Sequence, residues 1–203
     1  MSAADPIEAV LSDGQREAWR ACRAPGDMPV TEFAEETERS KGTIGNHLAR
    51  AEDNLADAAD AFADAATPVD FETEARTRST SWQRADEATR PENVENTEIQ
   101  AINRFAWTVR LPDGKRHVTA LLRREDWFEG YCDCKGFQHN SGPCAHLCTL
   151  RQAAFVHVET ADGDRVRIPE QPANRTPATD GGRVVEPAAG HDGREFGRPE
   201  TQL

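Results

Sequence analysis

Apolar positions recur at helical spacing over the first third of the chain. Residues 11–23 put Ala18, Trp19 and Cys22 on one face behind a Ser12 or Asp13 cap, and Pro25-Gly26-Asp27 ends the run. Residues 29–37 predict a short second helix with Phe33 inward, and a tight turn delivers Ser40 as N-cap of a third. There Ile44, Leu48, Ala51 and Leu55 recur at steps of four, three and four. The pattern continues, because Leu48, Leu55 and Phe62 stand seven apart, as do Ile44, Ala51, Ala58 and Ala65. An extended third helix with an a/d seam follows. Its first part is expected to pack on the first helix, and its last part on a second copy of the chain. Alanine buries little area per layer, so the expected homodimer is weak.

The period shifts to two further on. Phe105 to Leu111 reads as a strand, residues 112–115 as a turn and residues 117–122 as the returning strand. Trp127 to Tyr131 extends the sheet. Residues 67–98 lack sustained periodicity and read as a linker. Beyond Val158, Pro, Gly, Asp and Arg dominate, which predicts a disordered tail with a short strand at residues 165–168.

The strongest chemistry lies in Cys132-Asp133-Cys134 and Cys144-Ala145-His146, two i,i+2 pairs separated by nine residues. Residues i and i+2 of a strand point the same way, so Cys132 and Cys134 converge on one ion. Gly136, Gly142 and Pro143 supply the reversal, and residues 147–155 read as a helix carrying the second pair at its start. Thiolate and imidazole suit tetrahedral zinc. Cys148, four residues after Cys144, is a competitor to His146 for the fourth position, its other reading being a small apolar residue facing the core. His139 reads as solvated, and Cys22 as helix packing.

The spacing C-x-C-x9-C-x-H resembles the SWIM zinc finger, a ββα module, over roughly residues 103–158. Tyr131, Phe137 and the apolar helix residues Leu147, Leu150 and Ala154 fit the resemblance, while Ala145 stands where the family often has Lys. The resemblance implies DNA-binding or protein-interaction roles. Four protein ligands would close the site to water and no Glu stands as an obvious general base, so the chain is expected not to be an enzyme.

Ser40-Lys-Gly-Thr-Ile-Gly-Asn-His-Leu48 resembles the recognition helix of helix-turn-helix regulators of the sigma region 4 and LuxR kind, whose usual run is Ser-x-x-Thr-Val-x-x-His-Leu. Upstream, Thr37-Glu38-Arg39 departs from the usual Leu-Gly-Ile. The resemblance implies a trihelical fold that binds duplex DNA. On that fold Asn46 is placed to pair with an adenine edge, and Lys41, Thr43 and Arg50 to reach phosphates. His47 is expected to be half-buried packing.

Charge changes the setting. The net charge is -12, and of 24 basic residues only Lys41, Lys115 and Lys135 are lysines. Acidic excess with arginine in place of lysine suits molar salt, so a halophilic cytoplasm is expected. No apolar run approaches the ~20 residues of a membrane span, and no membrane partner is expected. The expected fold is α+β with two small domains: a helix-turn-helix domain over residues 1–66, a linker over 67–98, a zinc module over 99–158 and a tail over 159–203. The expected function is zinc-dependent DNA binding in transcriptional regulation. The alternative is an interaction adaptor in recombination or repair that holds a protein partner through the zinc module.

Overall fold

A computed structural model describes residues 5–171, except 73, 74, 91, 94, 95, 113 and 141; side chains are described for the same residues, except 75–79 as well. Five strands form one antiparallel sheet: β1 (Thr67–Val69), β2 (Glu98–Ala101), β3 (Ala106–Arg110), β4 (Arg116–Arg124) and β5 (Trp127–Cys132). Their order is β1-β5-β4-β3-β2. The hairpin register sets Thr119 opposite Cys132 and Ala120 opposite Tyr131. Because side chains alternate across a strand, this register decides which helical layer each residue meets.

One face meets the N-terminal helices α1 (Pro6–Val10), α2 (Asp13–Cys22), α4 (Lys41–Asp57) and α5 (Ala59–Ala65). Val118 and Ala120 of β4, Ala106 of β3 and Tyr131 of β5 share a core with Ile7, Leu11, Trp19, Leu55 and Phe62. The other face meets α6 (Ala75–Ala88) and α8 (Ala145–Val156), where Val109 and Leu121 join Ala85, Ala88, Leu147 and Leu150. Thus β4 sits between two cores, one on each side.

Local chemistry explains the helix starts. The Asp5 side chain accepts from the Ile7 N–H at 3.0 Å, with Pro6 in the first turn of α1. The Ser12 N–H donates to Gln15 Oε1 at 3.0 Å as α2 begins. Ser40 Oγ accepts from the Thr43 N–H at 3.1 Å and starts α4. Between α3 (Val30–Glu36) and α4 the chain reverses through Glu38 at φ 53. Ala18, Cys22, Phe33, Ile44 and Leu48 then pack α2, α3 and α4 together. A Cβ on Gly14 would come within 3.1 Å of the His47 ring, and His47 is half-buried there.

Several expectations need correction. The expected extended helix stops at Ala58, where ψ is 30, and α5 begins anew. The seam meant for a second copy faces the chain's own sheet: Phe62 is fully buried among α1, α2 and β4 residues. The expected linker carries β1, which pairs with β5, and α6, which packs on α8. The two expected small domains therefore share cores and one sheet, and residues 5–171 lie in a single compact unit. The expected ββα module is elaborated by α7 (Lys135–His139) between the two ligand pairs. The beginning of the expected tail also packs. Val166 is buried in the α6/α8 core, and Arg123 and Gln171 exchange backbone hydrogen bonds with this segment and strand β4. Residues 165–168 form only an isolated bridge at Arg165 instead of a strand. The rest of the expected tail, residues 172–203, lies outside the described residues.

Candidate metal centre

β5 ends at Cys132, Cys134 stands at the N-cap of α7, and Cys144 at the N-cap of α8, two residues before His146. Gly142, at φ 88, makes the reversal that brings α8 to the strand end, a conformation that favours glycine. The three sulfurs and one imidazole nitrogen lie within 4.8 Å of one another. His146 Nδ1 is 3.8 Å from Cys132 Sγ and 4.0 Å from Cys144 Sγ. A tetrahedral site with Zn–S near 2.3 Å has ligand–ligand edges of roughly 3.8 Å, so these separations fit one zinc ion. All four side chains are buried, none above 8 % exposed.

The thiol electrostatics also ask for a cation. Burial pushes the Cys132 and Cys144 thiols well above their ordinary range. Hydrogen bonds from Cys132, and then Cys144, pull the Cys134 thiol down. A dication reverses the rise at Cys132 and Cys144, because a coordinating thiol is deprotonated outright. The four residues are thus positioned to bind a metal ion, and Zn2+ fits the donor set. Four protein donors are the number that closed tetrahedral zinc sites use.

A second layer escaped the sequence reading. His117 stacks on His146 with ring centroids 4.6 Å apart, and its Nδ1 lies 2.7 Å from Asp133 Oδ1. Thr119 Oγ1 lies 3.6 Å from Cys132 Sγ. Groups of this kind fix ligand orientation. Asp133, enclosed between two ligand cysteines, was the available signal. Its partner on β4 required the register.

The competing thiol stands apart from the metal cluster. Cys148 is fully buried in the α6/α8 core, and burial pushes it up to about 12. His139 is exposed and Cys22 is buried among α2, α3 and α4. The other candidate site is more dispersed. Lys41, Thr43, Asn46 and Arg50 are all exposed on α4. At 100° per residue Thr43, Asn46 and Arg50 share one face, while Lys41 lies on the far side of the first turn. The Thr43 hydroxyl is 2.9 Å from Ser40 Oγ and belongs to the helix cap.

Residues 116–153, from the start of β4 into α8, match the SWIM zinc finger family model. That span holds all four candidate ligands together with His117 and Asp133. Among curated proteins and among solved structures, nothing matches this chain. Among the described residues, no helix is long and apolar enough to cross a membrane.

Proposed function

We propose that this chain is a non-enzymatic, zinc-stabilised DNA-binding protein that acts in transcriptional control, with α4 as the element entering the major groove. The supporting observation is the outer face of α4. Gly45 has nothing within 4 Å of where a Cβ would stand, and Gly42 only the Ser40 hydroxyl at 3.8 Å. Glycine inside a helix costs roughly 0.5–1 kcal/mol relative to alanine, and no internal packing here requires it. Bare backbone beside exposed Asn46 and Arg50 suits close approach by a duplex, with Asn46 reading a base edge and Arg50 holding a phosphate.

Residues 1–66 carry fourteen acidic side chains against six basic ones. In dilute buffer that balance repels DNA. At molar salt the Debye length falls to about 3 Å, so only charges in contact matter. Binding belongs to a salt-rich cytoplasm and is measured there. Selection of duplexes from a random pool in molar KCl should enrich a common sequence. Asn46→Ala should relax preference at one base pair by ~1–3 kcal/mol. Arg50→Ala should weaken all sequences alike. Equal binding by wild type and a Lys41/Asn46/Arg50 triple alanine variant would refute α4 as the reading element.

A second reading, an adaptor in recombination or repair, draws on a different surface. At the end of α8 Phe155 is 84 % exposed and Val156 47 %. An apolar pair on the zinc-bearing helix suits a protein partner. No duplex affinity in molar KCl, with capture of a partner lost in Phe155→Ser, would favour it.

A further inference from the structure

Between the N-terminal helices and the sheet lies a cavity of about 300 Å³, lined by Trp19 and Arg23 of α2, Glu52, Asp53 and Ala56 of α4, and strand residues including Gln100, Thr108 and Arg116. It lies on the face of the sheet opposite the metal centre. Three of its residues share an anomaly. Trp19 Nε1, Thr108 Oγ1 and Arg116 Nε are buried and have no hydrogen-bond partner among the described residues. Trp19 and Thr108 are each only 4 % exposed. A buried polar group left unpaired is costly, because it has given up water without gaining a partner. Three of them gather around one cavity, and each such group in a folded chain calls for an explanation.

The strand register shows how the floor is built. Gln100 lies directly opposite Thr108, and Glu98, Arg110 and Arg116 form the adjacent cross-strand row. Arg116 spends its two terminal nitrogens on Glu98, at 2.6 and 2.7 Å to one nitrogen, and on Asp27 at 3.4 Å. Its Nε is left over. The neglected groups are therefore an indole N–H, a guanidinium N–H and a hydroxyl, which together match the oxygens of a carboxylate.

The part of the wall on α4 has the opposite character. Glu52 is held by Arg23 at 2.9 Å, whereas Asp53 is exposed and has no ion pair among the described residues. The charged lining residues, Arg23, Arg116, Glu52 and Asp53, balance. A neutral lining with donors on α2 and the sheet and a spare carboxylate on α4 disfavours a polyanion. It suits a zwitterion. The volume is at the small end of ligand sites, where single metabolites fit.

We propose that this cavity binds a free α-amino acid, its carboxylate taken by Trp19, Thr108 and Arg116 and its ammonium by Asp53. The three donor atoms are closed to water in this conformation, so the ligand meets them through side-chain rotations of the kind common on binding. The site stands independently of what the outer face of α4 contacts.

The test uses the zinc-loaded full chain in molar KCl, titrated with each of the twenty free amino acids into the millimolar range by calorimetry. At least one should bind saturably at one per chain. Thr108→Val, which keeps the shape and removes the hydroxyl, should weaken it about tenfold. Asp53→Asn should weaken the amino acid by a similar factor and leave the affinity of the corresponding des-amino acid unchanged. If none of the twenty binds, the proposal is overturned. Binding that neither Thr108→Val nor Asp53→Asn alters would also overturn it, because the ligand would then sit elsewhere. Both variants replace side chains without creating a clash, and their melting temperatures show that the chain folds.

Discussion

Replacing Cys144 by serine removes one sulfur from a buried four-ligand cluster and leaves the rest of the side chain in place. Cys144 is 5 % exposed and stands at the N-cap of α8. Serine offers a much poorer zinc ligand. If zinc weakens about a thousandfold, linkage removes about 4 kcal/mol of apparent stability. For a unit of this size each kcal/mol shifts the midpoint by about 2–4 °C, so a fall of roughly 8–16 °C is expected. Cys148→Ala is the matched control, a buried thiol on the same helix lying outside the cluster. Losing one buried heavy atom costs about 0.5–1.5 kcal/mol, a few degrees at most. Zinc content by mass spectrometry and thermal unfolding by circular dichroism measure both. Wild type and Cys148→Ala should carry one zinc per chain, and Cys144→Ser and His146→Ala should not. Full zinc in Cys144→Ser, with a shift no larger than that of the control, would refute the site. Zinc kept by His146→Ala and lost by Cys148→Ala would refute the fourth ligand.

Phe62→Ala should cost about 3–5 kcal/mol, read by chemical denaturation, because Phe62 is fully buried within its own chain; Phe62→Glu should unfold the protein instead of releasing a folded monomer, as sedimentation and circular dichroism would show together. Gly130→Ala should cost about 1–3 kcal/mol in the same assay, since the new Cβ would stand 2.9 Å from Val69 Cγ2 and 3.0 Å from Leu147 Cδ2. The zinc-loaded protein should show no fast-reacting thiol at pH 8: burial raises both Cys22 and Cys148, the latter to about 12, and the other three sulfurs are ligands. One rapidly alkylated cysteine per chain would mean that a ligand is free.

The metal ligands were legible because their chemistry depends on short spacings that the sequence displays directly. The three N-terminal helices were legible for a similar reason, since Phe33, Ile44 and Leu48 are large and periodic. What failed was the identity of partners. The seven-residue spacing of Leu48, Leu55 and Phe62 marks buried positions, but a stripe of apolar side chains is equally satisfied by another helix or by a sheet. Here α2 and α3 cover Leu48, while the sheet covers Leu55 and Phe62, the last from the separate helix α5. The helix at α6 was missed because its buried face is made of Ser81, Ala85 and Ala88. Small residues at steps of four and three allow close packing on α8, yet they barely register as hydrophobic. β1 was obscured by Pro68, which a strand tolerates only at an edge, the position β1 occupies. Val166 is one apolar residue in a polar stretch, and only the α6/α8 core gives it a place to be buried.

A zinc site usually compensates for a core too small to stand alone. This one adjoins a core that is already substantial, so a different contribution must dominate. The ion joins residues separated by a short loop, and closing a short loop removes little entropy from the unfolded chain. Its main effect is on the folded side. Four polar groups lie in the α6/α8 core at the end of the sheet, where unpaired polar groups are costly. Coordination satisfies all of them at once and fixes the end of β5 to the start of α8. The consequence runs through β4. His117, Thr119 and Leu121 face the metal and its core, while Val118 and Ala120, on the same strand, pack against the layer that includes α2, α4 and α5. A strand held on one face by the ion presents the other face in a fixed register, and the N-terminal helices pack against that register.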